Sequence, residues 1–583
     1  MKKLISKQYY IVLLSTLLLS ASSCNDSFLD KYPYDQVTHA TYWKSEEQLK
    51  KALYPCYEGL RYDQIINMGE ACADNVVWGA VTSGLNKVSG GKHTALDSFP
   101  FYTYWSNIYE NIFNCNNFLD HYNEAKIPQD VKDVYAAEVK VIRALQYFWL
   151  TSLWRDVPML DHVVTPDEAY LPQTKKDVII DWIMKDLDWA AEKLGKNIQK
   201  GENVGRIDRW GALAMKARIA LQNEMWDVAA TAAKEIMDNS PYGLWDYEKV
   251  YHLEGNSETN PANNEAIIFS LYKDQVRMNN LTNYTCNPDD YMRLNPGKTL
   301  VDSYLCIDGK PAVTGLEYYK RTDVTTSSLY TYPEQHYADY FKNRDPRMHM
   351  TLYCPGDQWP GGDDGDLDKV ANPILQLPRF EPLQRDRRGA NSRTGFYFKK
   401  YNSPSLAGQV DKDHNNINVI RYPEVLLIYA EAMFNKQGKT LTQEQIDITI
   451  NKLRNRVGMH PMKLDELKAW NLDLETEIRR ERRIEMSFDG MRYFDILRWK
   501  EGFRFGRAIT GPSLRVCLND LGKTPYVDGN GNPIVDEFGD IVFDASTAEG
   551  GARNFDPKKH YIWPIPDKEM TKNPNLKQNP EWL

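Results

Sequence analysis

The chain of 583 residues carries 71 basic against 80 acidic side chains, with 36 Tyr and 15 Trp. Without the leader lysines Lys2, Lys3 and Lys7 the net charge is about −12, which argues against nucleic acid and against an electrostatic hold on anionic lipid. The length admits one large helical body with insertions, and the Tyr and Trp content suits recognition of polar ligands with flat apolar faces, as sugars have.

The first residues read as a secretory leader. Lys2, Lys3 and Lys7 form its positive region, and Ile11 to Leu19 an apolar core too short to span a bilayer. The run from Leu17 to Ser23 ends at Cys24 and resembles a lipobox, with Ala21 where the usual box has Leu. Residues 1–23 are therefore expected to be a signal peptide, Cys24 the lipidated N-terminus, and Asn25 to Asp35 a polar tether. Eight cysteines fall to seven without Cys24, and no C-x-x-C pair is present, so buried thiols are expected rather than a disulfide framework.

Helical period begins at Ser45, with Leu49, Ala52, Leu53 and Cys56 on one side. Residues 67–100 interrupt it: Gly69, Asp74, Asn75, Trp78, Gly79, Gly84, Asn86 and Gly90 predict a long loop holding a tryptophan. Helices follow over Tyr102 to Leu153 and Lys176 to Leu194, then a helical hairpin from Ile207 to Asn239. Its first helix carries Ala212, Ala214, Ala217 and Ala220, and its second Ala229, Ala230 and Ala233, spacings that let two helices approach closely, as in tetratricopeptide pairs. Val425 to Lys436 and Gln443 to Val457 predict another such pair. The stretch between is rich in Tyr, Asn, Pro and Gly, with short strands expected at Ala266 to Leu271 and Tyr397 to Tyr401 and an irregular loop at Asn279 to Asn295. A hairpin is expected over Tyr526 to Val542 around Gly529-Asn530-Gly531. The fold class is thus mainly α: a tetratricopeptide-like helical-pair scaffold with a large irregular loop-rich insertion and a few short strands. The expected division after the signal peptide is 24–240, a ligand-binding insertion at 241–420, and 421–583.

Glu475 to Lys500 is the densest stretch. Read as one helix, Ile484, Phe488, Met491, Phe494 and Leu497 form an apolar stripe, and Arg482–Glu485, Asp489–Arg492 and Asp495–Arg498 fall three residues apart. Two readings stand: a salt-laced surface helix, or a half-buried helix whose arginines bridge its neighbours. The aromatic load of Phe488, Tyr493, Phe494 and Trp499 favours the second.

Glu481-Arg482-Arg483-Ile484-Glu485, Phe488-Asp489-Gly490, Arg492-Tyr493-Phe494-Asp495 and Arg498-Trp499 resemble the signature of the SusD/RagB family of Bacteroidetes, surface-exposed glycan- or nutrient-binding lipoproteins. Thr41-Tyr42-Trp43, Arg344-Asp345-Pro346-Arg347, the run Arg421 to Ala432, and the closing runs Tyr561 to Pro566 and Asn573 to Pro580 extend the resemblance over nearly the whole chain. It implies a helical half and a looser loop-rich half. It also implies an outer-membrane protein, lipid-anchored and facing the exterior, that delivers glycan to a SusC-like TonB-dependent transporter. A peptide-binding RagB-like lipoprotein and a secreted glycoside hydrolase are the alternatives.

A search for chemistry finds no G-x-S-x-G elbow, P-loop, H-E-x-x-H or G-x-G-x-x-G after a strand, so no enzyme and no cofactor are expected. Asp364, Asp366 and Asp368 alternate as in a calcium loop, but the sharp-turn glycine and the bidentate glutamate are missing; Asp528, Asn530 and Asn532 fall in the expected hairpin turn. No metal site is expected. Glycan recognition needs a flat ring against the sugar's apolar face with amides or carboxylates beside it. Trp78 with Asp74 and Asn75 supplies one such set, and Tyr284 and Tyr291 with Asp289 a second wall.

Overall fold

The computed structural model describes residues 42–79, 84–253, 255–256, 263–286, 292–312, 334–358, 377–380, 383, 391–406, 409, 411–543 and 553–583. The leader, Cys24, the tether, Asp289, Tyr291 and the Asp364–Asp368 loop lie outside them. Helices α1 (Glu46–Tyr57), α2 (Asp63–Ala71) and α3 (Gly84–Ser89) come first, then α4 (Thr103–His121), α5 (Gln129–Trp154), α6 (Lys176–Lys193), α7 (Arg209–Gln222) and α8 (Trp226–Asn239). Short helices α9 (Leu281–Thr285), α10 (Lys298–Ser303) and α11 (Pro346–Thr351) punctuate the middle of the chain. Helices α12 (Tyr422–Lys436), α13 (Gln443–Asp447), α14 (Ile450–Arg456), α15 (Leu464–Ala469), α16 (Leu474–Glu485), α17 (Arg492–Arg498), α18 (Leu514–Leu521) and α19 (Asp567–Lys572) complete it.

From α4 to α8 each helix packs on the next, and α12 returns to pack on α8 after the intervening insertion. Small residues make the close approach possible: Ala212, Ala214, Ala217, Ala220, Ala229 and Ala233 are all fully buried. Ser45 starts α1 with a capping box to Gln48, and Asp208 caps α7 through the Gly211 amide. The described strands form four two-stranded sheets. Strands β1 (Val76–Trp78) and β3 (Leu294–Pro296) are antiparallel, with Trp78 opposite Leu294. Strands β2 (Ala266–Ser270) and β6 (Ile417–Arg421) are antiparallel too, β4 (Arg379–Phe380) and β5 (Asn391–Ser392) parallel, and β7 (Thr510–Ser513) and β8 (Asp540–Val542) antiparallel. The expected fold class holds. All seven described cysteines are buried free thiols.

Four local expectations are corrected. Residues 67–100 are not one loop, because α2 runs through Gly69 and α3 starts at Gly84. Tyr397 to Tyr401 is not a strand; only Phe398 makes a bridge, to Leu352. Gln443 to Val457 is broken between α13 and α14, where Thr449 leaves helical geometry. Glu475 to Lys500 is two helices, not one. The chain turns at Phe488 and Gly490, both in the left-handed region (φ 64° and 76°). A Cβ on Gly69 would lie 1.8 Å from the Gly490 carbonyl oxygen, so α2 and this turn touch backbone to backbone. The Gly490 amide donates to the Glu70 carboxylate at 3.1 Å. Burial pushes that carboxyl up to about 7, against the opposing pull of Asn75 and the Gly490 amide.

Most charges of α16 and α17 also reach partners outside their own helix. Glu485 accepts from Arg421 and Arg456 at 2.6 Å each and from Arg347 at 3.0 Å. Glu481 joins Arg347 to Arg454 (2.6 and 2.8 Å), and Asp489 joins Arg421 to Lys400 (2.8 and 3.0 Å). Arg482 reaches Asp495 at 2.8 Å, and Arg498 reaches Glu431 at 2.5 Å. Of the three expected near-neighbour pairs only Asp495–Arg498 forms, at 2.9 Å. The bridging reading therefore holds. Burial raises the Glu485 carboxyl, but Arg456, Arg421 and Arg347 outweigh it and hold the group well below the carboxylate range. Glu485→Ala is expected to lose about 3–5 kcal/mol in urea unfolding, because three guanidiniums are left facing a void. Exchange of Glu47, in the exposed Lys51 pair, leaves the midpoint unchanged.

The C-terminal segment folds back onto α5. The Trp563 amide donates to the Leu153 carbonyl at 2.7 Å, and the Trp154 indole to the Pro564 carbonyl at 2.9 Å. His93 is buried there among Phe101, His560 and Trp582, with ring centroids 4.8–5.2 Å away. Burial, with His560 beside it, pushes the His93 imidazole down from 6.5 to about 3. A folded-state value below the unfolded one gives stability that is fully present above about pH 6.5 and is lost as pH falls. From pH 6.5 to 5 the loss is about 2 kcal/mol. His93→Phe should flatten that slope in unfolding curves collected across the range.

Candidate functional site

Residues 74–78 run from the interior to the surface. Asp74 and Asn75 face inward and are buried. Asp74 accepts two bonds from Arg492 at 2.7 and 2.8 Å, with Arg483 3.4 Å away. Burial raises its carboxyl, yet Arg483 and Arg492 hold it well below the usual range. Asn75 accepts from Arg483 Nε at 2.9 Å and donates to Glu70 at 3.1 Å. Both expected ligand groups are thus committed to the arginines of α16 and α17, and they anchor β1 from behind.

Trp78 ends β1 and is half-buried. Its amide donates to Asn86 Oδ1 at 3.1 Å, and its carbonyl accepts from Asn86 Nδ2 at 2.9 Å. One side-chain amide thereby completes both backbone groups on the edge of the strand that β3 does not cover. Asn86 sits on α3, whose Gly84 lies so close to Phe99 that a Cβ would meet the Phe99 carbonyl at 2.2 Å.

Tyr284 comes from α9, about 200 residues later in the chain, yet its ring meets that of Trp78 edge to face, with centroids 5.4 Å apart and planes at 61°. Its carbonyl accepts from the Arg293 amide at 3.0 Å, and the Arg293 carbonyl accepts from the Gly79 amide at 2.7 Å, so the two ring-bearing segments share one short bridge. Burial raises the Tyr284 hydroxyl, and the charges of Asp63 and Asp411 act in the same direction. Asn280, beside it, accepts from the Asp411 amide at 3.0 Å and from Asn283 at 2.7 Å. A ring pair rimmed by amides and carboxylates can stack on a sugar face and meet its hydroxyls.

Of the expected site residues, Trp78 and Tyr284 come together, Asp74 and Asn75 lie behind them, and Asp289 and Tyr291 lie outside the described residues. Asn86, Asn280 and Asp411 were not expected. Asn86 counted in the sequence only as a helix breaker, and nothing in its spacing shows which backbone it completes. Among the described residues no three His, Cys, Asp or Glu side chains group to hold a metal. Asp528 accepts from the amides of Asn530 and Asn532, both at 2.8 Å, which makes it the turn expected there. Asn86→Ala is expected to cost about 1–3 kcal/mol and to speed amide exchange at Trp78, because two backbone groups lose their partner.

The packed helical pairs, with the Trp78 and Tyr284 rings in contact beside them, make a scaffold of tetratricopeptide-like build. The chain belongs to the SusD family: the model described as "SusD family" matches residues 247–582. A second, "Starch-binding associating with outer membrane", matches residues 27–221. A SusD-like protein of Bacteroides ovatus is 23% identical over 523 residues, covering 85% of this chain and 83% of the relative. The crystal structure of a SusD-like carbohydrate-binding protein from Bacteroides fragilis aligns with a TM-score of 0.74 at 26% identity, over 92% of this chain and all of that one. A laminarin-binding SusD-like protein aligns at 0.60 and 19% identity, over 92% and 99% of the two chains, and shows the same fold. The family is one of binding proteins, not enzymes. No helix among the described residues is long and apolar enough to cross a membrane.

Proposed function

We propose that the protein is an outer-membrane lipoprotein, anchored through Cys24 and facing the exterior, that binds oligo- or polysaccharide and delivers it to a SusC-like TonB-dependent transporter. The observation that carries the binding part is the contact of Trp78 and Tyr284, two half-buried rings brought 5.4 Å apart from distant segments. Family membership and the family description of starch binding at the outer membrane support the rest. The leader and Cys24 supply the anchor by sequence. In this reading the 241–420 insertion contributes Tyr284, with Asp289 and Tyr291 following it in the sequence, while the 24–240 segment contributes Trp78 and the arginine-bound Asp74 and Asn75 that hold it.

Hand-over requires modest affinity. A Kd between mM and μM corresponds to roughly 4–8 kcal/mol, which two or three stacked rings can supply. Calorimetry against starch and laminarin oligosaccharides, with peptides as the contrasting arm, is expected to show sugar binding. Trp78→Ala and Tyr284→Ala should each weaken it by about tenfold or more, or about 1.4 kcal/mol, in variants whose unfolding curves show that they are folded. Binding by peptides alone, or undiminished sugar binding in both variants, defeats the reading. A pull-down from native outer membranes that recovers no β-barrel transporter defeats the delivery step.

A further inference from the structure

Between α16, α17 and the segment after α17 lies a pocket of about 80 Å³ that the proposed glycan site does not use. One water needs roughly 10–15 Å³ of such space, so the pocket has room for several waters or one small ion and not for a sugar ring. Five arginines line it: Arg479, Arg480, Arg483, Arg492 and Arg504. Among the described residues its carboxylates are Asp473, Glu475 and Glu501.

Those carboxylates already have partners. Asp473 caps α16, accepting from the Thr476 amide and hydroxyl at 2.8 Å each. Glu475 is shared by Arg479 at 2.5 Å and Lys439 at 2.8 Å, and Glu501 by Arg479 at 2.6 Å and Arg504 at 2.5 Å. Behind the wall, Asp74 takes two nitrogens of Arg492. A guanidinium offers five N–H donors. Arg504 gives Glu501 only its Nε, and Arg492 gives Asp74 its Nε and one Nη. The other Nη groups of these two residues have no hydrogen-bond partner among the described residues, and none of them is a buried unsatisfied atom. They are therefore left to whatever fills the pocket. Arg479, the most exposed of the five at 23% of its side chain, marks the mouth.

We propose that this pocket binds a tetrahedral oxyanion, sulfate or phosphate, either free or as an ester on a larger ligand. Fixed, planar guanidinium forks match the oxygens of such a group and reject chloride, which offers no oxygen geometry to satisfy. The proposal stands independently of the ring-pair site.

The test uses the full mature chain. Thermal unfolding and calorimetry are run with sodium sulfate, sodium phosphate and sodium chloride at matched ionic strength, and with a sulfated monosaccharide against its unsulfated parent. Sulfate or phosphate is expected to raise the midpoint above the chloride value. Arg504→Gln and Arg479→Gln should each weaken that binding about tenfold or more, and Arg504→Lys less. Midpoints without oxyanion show whether each variant is folded, and the partly exposed Arg479 provides the variant least prone to misfold. Binding of free ions supports the proposal with the free ion as source. Binding of the sulfated sugar but not of its parent or of free ions supports it with the ester as source. Trp78→Ala should leave all these shifts unchanged, which separates this site from the glycan reading. Shifts equal to those in chloride, or shifts that survive in both glutamine variants, overturn it.

Discussion

Four arginines, Arg347, Arg421, Arg454 and Arg482, are among the largest fully buried side chains in the molecule. An ion taken out of water is tolerated only when opposite charges and hydrogen bonds replace its hydration. Here the replacements come from far along the chain. Arg347 and Arg421 stand on or beside the irregular insertion, Arg454 on the helices that follow it, and the glutamates that join them on α16. Arg218 of α7 adds the first half of the molecule by pairing with Glu424, which Arg482 also approaches at 3.4 Å. A buried ion pair adds little net stability over well-packed apolar residues, but a misaligned one leaves a charge stranded at a cost of several kcal/mol. The lattice therefore acts mainly as a geometric lock: the scaffold, the insertion and the closing helices must meet in one arrangement.

The ring pair is a consequence of that lock. Asp74 and Asn75 are held by Arg492 and Arg483, four residues or fewer before Trp78, so the strand bearing the tryptophan starts from a fixed interior point. The contact of Gly69 with Gly490 sets how closely α2 lies against the turn between α16 and α17, and hence where β1 begins. Tyr284 is carried by the insertion and joined through the Arg293 and Gly79 backbone. Such a design separates tasks. Charge pairing in the interior places the segments that carry Trp78 and Tyr284, and in the proposed function those segments meet the ligand.

Much of the scaffold was legible in advance because its signals are local. Alanines at helical spacing over residues 207–239 announce a close helix pair whatever lies elsewhere, and Trp78 and Tyr284 stand out as aromatic residues in Gly- and Asn-rich surroundings. Of the candidate site, the sequence named two rings that do come together, Trp78 and Tyr284. Asp74 and Asn75, polar residues beside an exposed-looking tryptophan, read as ligand groups until the arginines that bury them were in place. The break at Phe488 was hidden for a related reason. The apolar stripe continues on both sides of it, and periodicity records which residues avoid water, not whether the backbone between them passes through a left-handed turn.

By itself the sequence determined the mainly helical class, the hairpins with small facing residues, the thiols without a disulfide pattern, and the presence of a charge-rich stretch whose aromatic load favoured burial. Tertiary structure alone decided which carboxylate each arginine would meet, that the stretch would fold as two helices, and that Trp78 would touch Tyr284. The physical reason is range. Helical period and capping act over three or four residues, whereas a guanidinium withdrawn from water takes its partner from whichever segment the packing brings within about 3 Å, and that choice leaves no periodic trace in the chain.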